Sequence, residues 1–188
     1  MLSASYSAGL CGIDGFPVTV ECNQKTNLKG FDLVGLPDLA VKEAKERVIT
    51  ACQNSGYPFP YTRITVNLAP ADRKKEGSAF DAAILTAILH TSGVLRREVS
   101  LEKKCIVGEL SLSGELRGVR GILCMCVAAK ENGFTEFYAP VENAGEAAAV
   151  EGITVYAVPN MRALVMHLNG EQSLTPVACD RTAFTDAT

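Results

Sequence analysis

Apolar and polar residues alternate from Phe16 to Asn23, where Val18, Val20 and Cys22 stand against Pro17, Thr19 and Glu21, the period of a half-buried strand. Ser5 to Cys11, short and built of small residues, reads as the strand before it, and Gly12–Gly15 (GIDG) between them carries hairpin-turn chemistry. A third strand is expected from Gly30 to Val34, ended by Gly35. The period then changes. Pro37 suits a first helical position and Asp38 the positive end of a helix dipole. Ala40, Ala44, Val48, Ala51 and Cys52 recur at helical spacing, and Lys42–Glu46 and Glu43–Arg47 form opposite-charge pairs four residues apart on the other face. Gly56 closes this helix, and Pro58 and Pro60 keep it from resuming.

Arg63 to Leu68 (RITVNL) alternates again and predicts a strand. A charged turn, ADRKKEG, leads into a second helix from about Ala79 to Ser92, apolar almost all round and therefore expected to be buried against a sheet. Cys105 to Glu109 reads as a strand, Ser113–Gly114 as a turn and the residues around Leu116 as a further short strand. A third helix follows over about Gly121 to Asn132, capped by Gly133. Phe137–Ala139 and Ile153–Val158 read as strands around an alanine-rich helix at Asn143–Val150, and a last helix covers Met161 to Leu168. Residues 171–188 are polar and patternless and read as a linker or tail, which leaves one domain over residues 1–170. The alternation of strands and helices is that of an α/β protein.

Composition narrows this picture. Hydrophobic residues are 47% of the chain with no Trp, so an aliphatic, alanine-rich core is available and wholesale disorder is excluded. No apolar run is long enough to span a bilayer and the N-terminus lacks the pattern of a signal peptide, so a cytoplasmic protein without membrane contact is expected. Cys11, Cys22, Cys52, Cys105, Cys124, Cys126 and Cys179 show neither a CxxC pair nor zinc-ligand spacing; they read as small hydrophobes in a reducing compartment, and no metal site is expected. The net charge of −3 argues against a uniformly basic nucleic-acid binder but not against a local basic face. Lys and Arg outnumber acids between Asp38 and Glu76, whereas the chain beyond Glu131 is acidic, so any such face lies in the middle.

Three glycine-containing loops open helices there: Gly35–Asp38, Ala71–Asp81 and Gly114–Gly121. Exposed N–H groups and the dipole make such loops natural anion sites, and Arg73, Lys74, Lys75, Arg117 and Arg120 could add charge; the same residues also read as solvated loop charge. Ser78, in a Gly-Ser turn at a helix start, is the one tempting nucleophile. With Asp81 three residues on, it also forms a capping-box pattern with Asp in place of Glu, which accounts for both residues locally. No GxxxxGK[ST] phosphate loop occurs, so no ATP site is expected in this chain.

The blocks SYSAGLCGIDGFPVTVE, FDLVGLPDLAVKEAKERV, RITVNLAPADRKKEGSAFD and VGELSLSGELRGVRG, with AAKENGF and the P-x-E-N-x-x-E-A run beginning at Pro140, resemble the N-terminal domain of the magnesium-chelatase-like AAA+ ATPases (the YifB/ComM group). The resemblance covers about residues 1 to 170 in order. It implies a two-layer α/β fold of sheet plus helices, of the Lon-protease-domain type (ribosomal-protein-S5-domain-2-like superfamily). It also implies an AAA+ module following in a longer, oligomeric protein, with ATP and Mg²⁺ belonging to that module and no cofactor to this chain. Lon-type peptidases use a Ser/Lys dyad. Laid on those motifs, Ala79 rather than Ser78 takes the nucleophile position and Leu123 the lysine position, which implies an inactive relative. The family's role implies DNA contact during recombination, branch migration or natural transformation. Three readings stand: a DNA-contacting and assembly domain carrying Arg73, Lys74, Lys75, Arg117 and Arg120; an oligomerisation or protein-interaction module; and a Lon-type peptidase with Ser78 as nucleophile.

Overall fold

Alternation at the N-terminus produces a hairpin. In the computed structural model, which describes residues 2–179, β1 (Leu2–Cys11) pairs antiparallel with β2 (Asp14–Lys25) through a two-residue turn, Gly12–Ile13, with Gly12 at φ +63°. β1 starts three residues earlier than expected and ends at Cys11 as expected, and β2 runs two residues further at each end. Ser3, Ser5 and Ser7 of β1 are buried, and the polarity of Ser3 hides the start of the strand from the hydrophobic pattern.

The remaining elements follow in order: β3 (Gly30–Val34), α1 (Asp38–Asn54), β4 (Arg63–Ala69), α2 (Asp81–Thr91), β5 (Lys104–Ile106), β6 (Glu109–Leu110), β7 (Leu116–Arg117), α3 (Ile122–Glu131), β8 (Glu136–Pro140), α4 (Val141–Ala147), β9 (Thr154–Val158) and α5 (Met161–Leu168). A seven-stranded mixed sheet has the order β3-β4-β2-β1-β5-β8-β9. Its β2 lies antiparallel to β1 and β4; β3 pairs parallel with β4, and β1, β5, β8 and β9 are mutually parallel. β6 and β7 form a separate two-stranded ribbon.

Side-chain alternation along the strands shows how many layers there are. Tyr138 and Val158 join one apolar cluster with α1, α2 and α5, while Phe137, Ala139 and Val155 join a second with α3 and α4. The half built from β1, β5, β8 and β9 thus has helices on both faces. On β2, β3 and β4 only one set enters the core (Val18, Val20, Phe31, Leu33, Ile64, Val66), while the exposed Asp32–Arg63 pair marks the other face. The expected two-layer arrangement therefore holds for one half and becomes three layers in the other. The cause is the continuous apolar runs of β5 and β8, which bury both faces in the manner of parallel strands.

Helix α2 is buried along nearly its whole length, as its sequence predicted. It lies against β1, where small meets small: Ser5 Oγ donates to the Ala83 carbonyl at 2.6 Å and Ser3 Oγ lies 3.0 Å from His90 Nδ1. Thr86 and Thr91 return their hydroxyls to the Ala82 and Ala87 carbonyls, so the buried helix leaves neither hydroxyl unpaired. Cys22, Cys52, Cys105 and Cys126 are buried free thiols.

Past α5 the chain does not leave the domain at Gly170. It runs back along the outer edge of β9: Pro176 bridges to Tyr156 and the Val177 N–H donates to the Val155 carbonyl at 2.8 Å. The part of the expected 171–188 tail from residue 180 onward lies outside the described residues.

Candidate functional site

The loop after β4 builds the centre of the site. It follows a cis Ala69–Pro70 bond and is held by Lys75, whose Nζ donates to the carbonyls of Pro70 and, at 2.7 Å, Arg73. Lys75 is 2% exposed, and burial pulls its pKa below the usual lysine value. It is therefore removed from the expected exposed basic face: its ammonium staples its own loop. Gly77, at φ +84°, then turns the chain into Ser78.

The capping box expected from Ser78 and Asp81 does not form. Helix α2 begins without a side-chain cap; the Ala82 N–H donates to the Gly108 carbonyl (3.1 Å) and the Gly108 N–H to the Ala79 carbonyl (2.9 Å). The chain leaving β5 thus supplies the helix end with its partners, and both side chains are free for long-range contacts. The Ser78 hydroxyl donates to the Glu109 carboxylate of β6. Asp81 receives Arg47 of α1 in a bidentate pair, at 2.6 and 3.1 Å, and the Leu110 N–H at 3.1 Å. Burial pushes the Asp81 carboxyl up to about 6, against the downward pull of Arg47 and of that N–H.

A second loop, Gly118–Gly121, closes the site from the other side. Asn143 of α4 grips Val119 twice, accepting from its N–H at 2.8 Å and donating to its carbonyl at 3.1 Å, while Glu142 accepts from the Gly118 N–H. Between the loops lies a cavity of about 630 Å³ lined by Gly12, Ser78, Glu109, Gly118, Arg120 and Met125 among others. A second hollow of about 500 Å³, bordered by Pro37, Leu39, Glu43 and Arg47, shares Gly77, Ser78 and Glu109 with the first. The Ser78–Glu109 contact is thus a partition between two hollows.

The five basic candidates scatter unequally. Arg120 lines the larger cavity, and Arg117 sits opposite Glu109 in the β6–β7 ladder with its side chain exposed. Arg73 lies 5.0 Å over the Phe16 ring and borders a separate hollow beside Pro17 and Pro70. Lys74 is exposed and pairs with Glu76 at 3.0 Å. The α3 residue lining the cavity with Ser78 is Met125, whereas Leu123, the position matched to a lysine, is exposed and does not line it. Chemically, this puts a serine hydroxyl against a carboxylate, with an apolar thioether and a guanidinium nearby. Among the described residues no cluster of three or more His, Cys, Asp or Glu could hold a metal ion, and no helix is long and apolar enough to cross a membrane. Glu109, Arg47 and Met125 escaped the sequence reading because each meets the site only through tertiary contacts.

Residues 20–143 match the family described as subunit ChlI of Mg-chelatase. The chain belongs to the Mg-chelatase-like family that includes the ComM and YifB proteins. It is 39% identical over 179 residues to the competence protein ComM of Haemophilus influenzae, covering 95% of this chain and 35% of that protein. Identity to the uncharacterised YifB of Escherichia coli is 36% over 173 residues (92% and 34%), and to an uncharacterised Mycobacterium tuberculosis protein 38% over 173 residues (92% and 34%). The chain thus spans about a third of the length of these Mg-chelatase-like relatives. The matched region holds Arg47, Ser78, Asp81, Glu109 and Arg120, so the partition and the buried ion pair lie inside the family's own segment, and only the hairpin rim at Leu10 and Gly12 falls before it.

Proposed function

We propose that this chain is a non-catalytic, Lon-protease-like domain of a magnesium-chelatase-like AAA+ ATPase, which aids assembly and contacts DNA in recombination, branch migration or natural transformation. ATP and Mg²⁺ belong, in this reading, to an ATPase module elsewhere in the full-length, oligomeric, cytoplasmic protein. The name of the Haemophilus relative, a competence protein, points the same way.

The observation that carries the reading is the Gly118–Gly121 loop. Glu142 and Asn143 fix its backbone, so Arg117 and Arg120 stand exposed on either side of a clamped segment at the mouth of the cavity. Cations carried on a rigid backbone suit phosphate contact, because little loop freedom is lost on binding. The non-catalytic part is supported by Ser78: its partner is a carboxylate, a far weaker base toward an alcohol than a neutral amine or imidazole. Fluorescence anisotropy of this chain with single- and double-stranded DNA tests the proposal. Binding at low salt that weakens as salt rises is expected; no binding at low salt leaves the charges solvated and the domain an assembly module.

A further inference from the structure

We propose that His167 is a pH-sensitive pin that holds the chain after α5 over the free edge of β9, and that protonation of its imidazole releases this strap. The strap is residues 171–177. Its Leu174 N–H donates to His167 Nδ1 at 2.9 Å, its Pro176 bridges to Tyr156, and its Val177 N–H donates to the Val155 carbonyl. Leu174 and Val177 pack against the two apolar clusters on opposite faces of the sheet, so the strap crosses the sheet edge and closes it. β9 is the last strand of the sheet, and an uncovered edge is a template for strand addition.

The hydrogen bonds around the ring fix its proton. A backbone N–H can only donate, so Nδ1 accepts from Leu174 and carries no hydrogen. The ring proton is then on Nε2, 3.2 Å from the Tyr138 hydroxyl, which in turn donates to Glu136 at 3.1 Å. The relay runs in one direction, from Leu174 through His167 and Tyr138 to Glu136. A second proton has one place to go, Nδ1, where it faces the Leu174 N–H and breaks the bond. The charged groups around the ring on its neighbouring strands oppose one another: Glu136 on β8 favours the imidazolium, Lys104 on β5 disfavours it, and these two lie 3.6 Å apart. Tyr138 and Tyr156 pack on the ring as neutral phenols whose pKa values are raised by burial. At the strap's start Glu171 is occupied by Arg96 at 3.5 Å. Burial is the largest influence on His167 and lowers its pKa. The docked strap therefore prefers the neutral ring: its hold is complete above the free-histidine value of about 6.5 and lessens as pH falls below it, by up to about tenfold per pH unit.

The test is backbone amide protection of Leu174 and Val177 in this chain, corrected for the intrinsic pH dependence of exchange, together with NMR titration of His167. Protection is expected to be constant at high pH and to fall below about pH 6.5 along the His167 titration. In His167→Gln, whose amide oxygen can still accept but does not titrate, protection should be independent of pH. Leu174→Pro, which removes the donor, should raise the His167 pKa toward its free value. Protection that does not change between neutral and acidic pH, a fall of equal size in His167→Gln, or an unshifted His167 pKa in Leu174→Pro would each overturn the proposal.

Discussion

Asp81 is pulled in two directions: burial favours its protonated form, and Arg47 with the Leu110 N–H favours the carboxylate. Burial dominates and raises the pKa to about 6, so the folded chain holds this proton more tightly than the unfolded chain, where the reference value is 3.8. Its contribution to stability is accordingly complete below the unfolded value, lost as pH rises toward about 6, and constant above. Removing the cation alone should expose the cost of the charge. Arg47→Met is expected to lose about 3 kcal/mol at neutral pH, where an unpaired buried carboxylate is left, and markedly less at about pH 4.5, where Asp81 can stay protonated. Urea unfolding at the two pH values checks this, and the difference should vanish when Asp81→Asn is added. At Ser78 the expectation concerns reactivity. With its hydroxyl donated to Glu109 and Met125 in place of an amine, Ser78 should not react with a serine-directed fluorophosphonate. Labelling that disappears in Ser78→Ala would restore the peptidase reading.

Among the elements, α3 depends most on the absence of a side chain elsewhere. A Cβ on Gly15 would lie 2.4 Å from the Cys124 carbonyl oxygen and 2.8 Å from the Ala128 Cβ, so the helix rests on the bare backbone of the hairpin. Gly15→Ala should therefore cost about 1–3 kcal/mol, read by denaturant unfolding, with faster amide exchange concentrated in α3. Much of the element pattern was legible in the chain. Gly30–Val34 and Met161–Leu168 stand where period, glycine and proline placed them, and α1 starts one residue after the Pro37 assigned to its first turn. What escaped was set by tertiary contacts. Ser3 and Ser5 of β1 look polar in sequence and find their buried partners in His90 and the Ala83 carbonyl; the cap of α2 comes from Gly108, 27 residues beyond the helix start at Asp81. Spacing along the chain also cannot reveal a Ser78–Glu109 contact across 31 residues or an Arg47–Asp81 pair across 34.

In the molecule as a whole, one sheet serves two environments. Its β3–β4 side is covered on one face, β2 carries α2 on one face and, at its hairpin end, α3 on the other, and the β5–β8–β9 side is covered on both and closed at the edge by the strap. Loops from the two sides meet at the Ser78 cavity: Gly77–Ser78 comes from the end of β4, and Gly118–Arg120 is held by α4. The sequence placed the exposed cations in these loops but not their unequal fates, since nothing in ADRKKEG distinguishes the buried Lys75 from the exposed Lys74. The central claim concerns the cations that remain exposed, and it is tested most directly by the salt dependence of DNA affinity. The slope of log affinity against log salt would be measured for this chain and for a fourfold Arg73→Ala, Lys74→Ala, Arg117→Ala and Arg120→Ala variant, with Lys130→Ala/Arg162→Ala, two exposed cations on α3 and α5 that do not line the Ser78 cavity, as the control. The account predicts that the fourfold variant binds more weakly and with a shallower slope, by roughly 0.9 for each duplex phosphate it no longer neutralises, while the control matches the parent. Equal slopes in all three proteins would contradict it.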